Sequence, residues 1–113
     1  MILRGSERFG LLTNLYKKNN IMKISDEGIA ITKRFFEAIE LLKNGKQIRG
    51  LYSFTKTHDI NYWNICTVRD KPDISVLKPE WINYLSKDYN ISPTWVITGE
   101  GKMFMSQREK TLF

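Results

Sequence analysis

Residues 51–69 read Leu-Tyr-Ser-Phe-Thr-Lys-Thr-His-Asp-Ile-Asn-Tyr-Trp-Asn-Ile-Cys-Thr-Val-Arg, and they divide into two short helical stretches around a break. The first runs from about Leu51 to Thr57. His58-Asp59 ends it, because Asp tolerates the left-handed and turn conformations that a helix interior forbids. Asn61 then has the side-chain oxygen that satisfies a free backbone N–H at a helix start, so a second helix is predicted from about Tyr62 to Arg69. Phe54 and Thr55 are the inward candidates of the first helix. Ile60 follows the turn, and Ile65 and Val68, three residues apart, are the inward pair of the second.

The flanking sequence supplies helices for this pair to pack on. Upstream, Ile31, Phe35, Ala38, Ile39 and Leu42 repeat with the period of a buried helical face, with Lys33, Arg34, Glu37 and Glu40 elsewhere on the wheel. Thr32 is placed near its start, and Asn44-Gly45 is its stop, Gly being expected in the left-handed conformation. Ser25-Asp26-Glu27-Gly28 reads as a turn. Residues 1–21 carry patchy apolar positions (Leu11, Leu12, Leu15) before Lys17-Lys18-Asn19-Asn20, and Met22-Lys23 is a natural second start. Residues 1–28 are therefore expected to be a partly ordered arm.

Downstream, Asp70-Lys71-Pro72-Asp73 ends the second helix, since proline has no N–H to donate and turns its predecessor away from helical geometry. Pro79-Glu80 opens a fourth helix with Trp81, Ile82, Leu85 and Tyr89 on its apolar side, closed by Asn90. Ser92 caps a last short helix with Pro93 at its first position and Trp95, Val96 and Ile97 as packing residues, stopped at Gly99-Glu100-Gly101. Met103-Phe104-Met105 is expected to fold back on the core, and residues 106–113 read as a polar tail. The predicted architecture is all-α: one compact bundle of about five short helices over residues 29–105.

Bulk properties narrow the function. The chain has 113 residues, a net charge of +6 and one Cys, with a pI near 9.5. The surplus suits a polyanionic partner, because neutralising phosphates releases condensed counterions. Residues 1–21 hold half of it, Arg4, Arg8, Lys17 and Lys18 against Glu7, so the body is mildly basic. A lone Cys66 allows no internal disulfide, and one His with one Cys makes a zinc site unexpected. The apolar runs are too short to span a membrane and the N-terminus lacks a secretory pattern, so a cytoplasmic location is expected. No arrangement of Ser, Asp or Glu supports catalysis around His58. Gly99-Glu100-Gly101 follows a helix, whereas a phosphate-cradling loop precedes one. An enzyme, a metal and a cofactor are all unexpected.

Two short helices joined by a turn of three or four residues, the second free to enter a major groove, make a helix-turn-helix. From about Ile29 to Met105, two-thirds of the chain, the sequence resembles the phage-repressor-like (lambda repressor-like, XRE-type) helix-turn-helix domains. Ile91-Ser92-Pro93-Thr94-Trp95-Val96-Ile97-Thr98-Gly99-Glu100-Gly101-Lys102-Met103 is similar to the (V/I)S-x-x-W-L-L-T-G-x-G-x-M ending of that family. Arg49-Gly50-Leu51 with Ser53-Phe54 resembles a variant in small Bacteroides-type regulators. The sequence departs from the pattern at Thr55, where Ala is usual, at Asp59 in place of Gly, at His58 in place of an apolar residue, and at Leu51 in place of a Gln that touches the DNA backbone.

The resemblance implies a homodimeric transcriptional regulator that binds double-stranded DNA. Asn61, Tyr62, Trp63 and Thr67 fall on positions that face DNA in the family, and Arg49, Lys56, Arg69 and Lys71 flank them as candidate phosphate contacts. With a dozen residues after Gly101, a self-cleaving second domain is not expected. Each candidate also has a structural reading. Asn61 is an N-cap as well as a base reader, Trp63 either contacts DNA or covers the core edge, and Arg69 and Lys71 complement a helix dipole. Cys66 reads as a small packing residue. The alternative function is a protein-interaction module on the same fold, with Leu51, Tyr62 and Trp63 as an apolar patch in place of DNA binding. Stacking of Tyr62 and Trp63 on unpaired RNA bases is a third reading.

Overall fold

A computed structural model of the chain describes residues 23–106. Five helices follow one another: α1 (Asp26–Asn44), α2 (Leu51–Thr57), α3 (Tyr62–Asp70), α4 (Pro79–Tyr89) and α5 (Pro93–Thr98). Most boundaries are set by local side-chain chemistry. The Asn61 side chain accepts from the Asn64 backbone N–H at 3.0 Å, and Ser92 Oγ accepts from Trp95 N–H at 3.3 Å. Pro79 and Pro93 open their helices, where a missing N–H costs nothing. Asn90 and Gly99 close α4 and α5 in the left-handed conformation.

The start of α1 corrects the expected turn at residues 25–28. Ser25 Oγ accepts from Gly28 N–H at 3.1 Å, and Asp26 and Glu27 occupy the first turn, where carboxylates complement the positive helix end. The first helix therefore begins at Asp26, three residues before the expected start at residue 29. Most of the expected arm, residues 1–22, and the tail beyond Ser106 lie outside the described residues. Thr32 lies inside the helix, not at its start: it is buried, and its hydroxyl donates to Gly28 O at 3.1 Å. The stop after α1 also differs from expectation. Gly45 has φ −81°, and Lys46 takes the left-handed turn at φ 64°. That turn directs Ile48 into the core, where it is buried.

Phe35 organises the interior. Its ring meets Phe54 of α2 at 6.1 Å, Trp81 of α4 at 6.2 Å and Phe36 at 5.0 Å, edge-on or tilted, the arrangements that ring quadrupoles favour. Leu42, Ile65, Leu85, Ile91 and Val96 complete a core drawn from every part of the described chain. Ile97 departs from its expected packing role and is 51% exposed, while Trp95 lies partly buried against the core. The 103–105 segment folds back as expected. Ser92 N–H donates to Met103 O at 2.7 Å and Met105 N–H to Asn90 O at 2.9 Å, closing an isolated bridge between Ile91 and Phe104. Arg34 adds a tie across the bundle, its guanidinium donating to Val96 O at 2.7 Å and Ile97 O at 2.9 Å.

Candidate nucleic-acid interface

The turn between α2 and α3 fixes the candidate surface. Asp59 adopts φ 55°, and Ile60 N–H donates to Thr55 O at 2.8 Å, closing the turn. Beneath it, Phe54 and Thr55 from α2 and Ile65, Cys66 and Val68 from α3 are buried. Thr55, standing where Ala was the expected pattern, is accommodated because its hydroxyl donates to Tyr52 O at 2.6 Å. Phe54, Thr55, Ile65 and Val68 are inward as the sequence reading expected, Cys66 is the packing residue it was read to be, and Ile60 is only partly buried.

His58 is the anchor of this unit. Its side chain is 6% exposed and its ring stacks on Tyr84 at 4.8 Å, with Phe54 and Tyr89 on its other sides. Nδ1 lies 2.9 Å from Phe54 O and Nε2 2.7 Å from the Asp88 carboxylate. A polar ring at an apolar position is thus satisfied at both nitrogens, and it joins the α2 end to α4.

With its inner face committed, α3 turns Asn61, Trp63, Asn64 and Thr67 to solvent. Trp63 is 74% exposed, so it does not cover the core. Asn61 spends its side-chain oxygen on the cap, leaving its NH2 group available. The Thr67 hydroxyl donates to Trp63 O at 2.9 Å, so its methyl is the outward group. Tyr62 is only partly uncovered: its ring lies edge-on to Tyr52 at 5.3 Å and to Trp63 at 5.4 Å. Its hydroxyl is held above the ordinary tyrosine value, first by hydrogen bonding with the Cys66 side chain, so it is a neutral donor through the physiological range.

The cations divide. Arg49, Lys56 and Lys71 are exposed, and the Lys56 ammonium lies 6.0 Å from the Tyr52 ring centre. Arg69 is not free as expected: Nε donates to the Asp70 carboxylate at 2.9 Å. That bond raises the Arg69 value and holds the Asp70 carboxyl below its ordinary range. One hollow beside α3 collects Arg49, Arg69 and Lys43 with Tyr62. A second collects Tyr52, Lys56, Asp59, Ile60, Tyr62 and Trp63, and Tyr52 and Tyr62 line both hollows.

Two residues on this surface were absent from the sequence-based set. Tyr52 is 58% exposed and pairs with Tyr62. Asn64 is exposed one residue after Trp63. Asn64 was hidden from a periodicity argument, because it stands four residues before the inward Val68 and so falls near that side of the helical wheel. The chain matches no family model, and no curated protein or solved structure matches it.

Proposed function

We propose that the protein is a DNA-binding transcriptional regulator that places α3 in the major groove, binding through contact and not acting as an enzyme. The observation that carries this reading is the division of α3 into a fixed inner face (Ile65, Cys66, Val68) and an uncovered outer face with Asn61, Asn64 and Thr67. Side chains of this kind read base edges: an amide pairs with adenine, and a threonine methyl meets the thymine methyl. Arg49, Lys56 and Lys71 border that face and supply phosphate contacts, with Arg69 weakened by Asp70. A single α3 covers one half-site, so two copies bind paired half-sites one helical turn apart. Among the described residues no helix is long and apolar enough to cross a membrane, and a cytoplasmic regulator accords with that.

Fluorescence anisotropy with a random-sequence duplex at low and moderate salt tests this reading, with Arg49→Ala plus Arg69→Ala as the control. Binding that weakens with salt and in the double variant is the expected result. The exposure of Tyr52 and Trp63 favours one second reading, an interaction module that binds a protein partner through this patch. Absence of duplex binding at low salt would refute the DNA reading and leave that one.

A further inference from the structure

A groove-reading helix has little use for three aromatic rings beside one carboxylate, yet this is what the hollow between α2 and α3 holds. Tyr52, Tyr62 and Trp63 form one connected aromatic cluster, and Trp63 is the most exposed large apolar side chain described, at 74%. Ile60 contributes an apolar surface to the same hollow, and Lys56 and Asp59 stand at its rim. The Asp59 carboxylate makes no hydrogen bond or ion pair with another described residue, and its backbone takes the left-handed turn at φ 55°. Aromatic faces bind bases by stacking, and a lysine holds the adjoining phosphate as a point charge. A carboxylate accepts two hydrogen bonds from guanine, at N1–H and the exocyclic amine. In a paired duplex N1–H faces the opposite base and only the amine is reachable, through the minor groove, so one carboxylate cannot hold both at once.

We propose that this hollow is a subsite for an unpaired guanine, stacked on Trp63 and read at its Watson–Crick edge by Asp59. The proposal rests on the DNA-binding reading and deepens it: the preferred ligand is a duplex carrying one unstacked guanine, not a perfectly paired one. Phosphates of the duplex arms fall to Arg49 and Lys71, and the phosphate of the extruded nucleotide to Lys56. Guanine is favoured over thymine, which has a single N–H on that edge and no amine.

The test compares the full chain on a perfect duplex, on the same duplex with one bulged guanine, and on that duplex with one bulged thymine. A stacked base is worth on the order of 5- to 100-fold in affinity. The bulged-guanine duplex is expected to bind tighter than the perfect one by a factor in that range, and Trp63→Ala to remove the gain. Asp59→Asn keeps a residue that tolerates the left-handed turn, and is expected to abolish the preference for guanine over thymine. The exposure of Trp63 and Asp59 leaves folding intact in both variants, and circular dichroism checks it. Equal affinity for the three duplexes would overturn the subsite while leaving duplex binding in place. A guanine gain that survives both substitutions would overturn it as well, and binding to none of the three would overturn the DNA reading itself. A single-stranded RNA of the same sequence serves as a further arm: if it binds more tightly than the bulged duplex, the assignment to DNA is wrong.

Discussion

Asn61 carries two roles through one side chain, and two substitutions separate them. Its oxygen caps α3 through a 3.0 Å bond from Asn64 N–H, and its NH2 group faces outward for a base edge. Asn61→Ala removes both. An N-cap is worth about 1 kcal/mol, which in a domain of this size lowers the melting temperature by about 4–8 °C. Asn61→Asp keeps the acceptor and adds a negative charge at the positive end of α3, worth about 0.3–1 kcal/mol in its favour. Its stability is therefore expected to equal or exceed that of the unsubstituted chain. For binding the order reverses. The aspartate loses the donor to adenine, worth about 1–3 kcal/mol, and repels phosphate, so duplex affinity is expected to fall about 10-fold or more. Thermal denaturation by circular dichroism and anisotropy titration on the same samples give both quantities. Equal destabilisation by the two substitutions would refute the capping argument. Undiminished affinity in Asn61→Asp would refute the placement of this residue against DNA.

Further outcomes follow from the charges and the core. Asp70→Asn frees Arg69, so duplex affinity rises and the slope of log affinity against log salt steepens by up to about 0.9, one additional phosphate. An unchanged slope would mean that Arg69 does not reach the backbone. His58→Ala leaves a void among Phe54, Tyr84 and Tyr89 and is expected to cost about 2–4 kcal/mol in urea unfolding. Asp88→Ala removes only a half-exposed partner, and its cost stays under about 1 kcal/mol. Gly99→Ala sets a Cβ at φ 78° and 3.0 Å from the Arg34 guanidinium. A loss of about 1–3 kcal/mol is expected, and a neutral result would show that the α5 end is not held in this conformation.

The parts of the fold legible in the sequence are those decided within four residues. Asn61, Ser92, Pro79, Pro93, Asn90 and Gly99 act on their own helix ends, and each functions as its residue type implies. What escaped reading depends on distant partners. Ser25-Asp26-Glu27-Gly28 has turn chemistry, and only the helix that follows converts Ser25 into a cap. The left-handed residue after α1 is Lys46 and not its glycine neighbour, because Ile48 has to reach the core. Trp95 meets the core as its sequence reading expected, but Trp63 had two readings, and only the packing of α2 on α3 shows that it stands in solvent. Tyr52 lies on a seven-residue helix, too short for periodicity to assign its side. The Arg69–Asp70 pair was hidden for a geometric reason. Adjacent residues on a helix point apart, and they meet here at its last turn, where the backbone leaves helical geometry at Lys71.

Isotope-labelled protein titrated with a short duplex, followed residue by residue in amide and indole NMR spectra, tests the assignment of the α3 face most directly. Shifts concentrated at Gly50–Tyr52 and Asn61–Thr67, with the Trp63 indole among the largest and α4 and α5 little changed, are the expected result. Shifts gathered around Ile82 and Ile97, or no shifts at low salt, would contradict it.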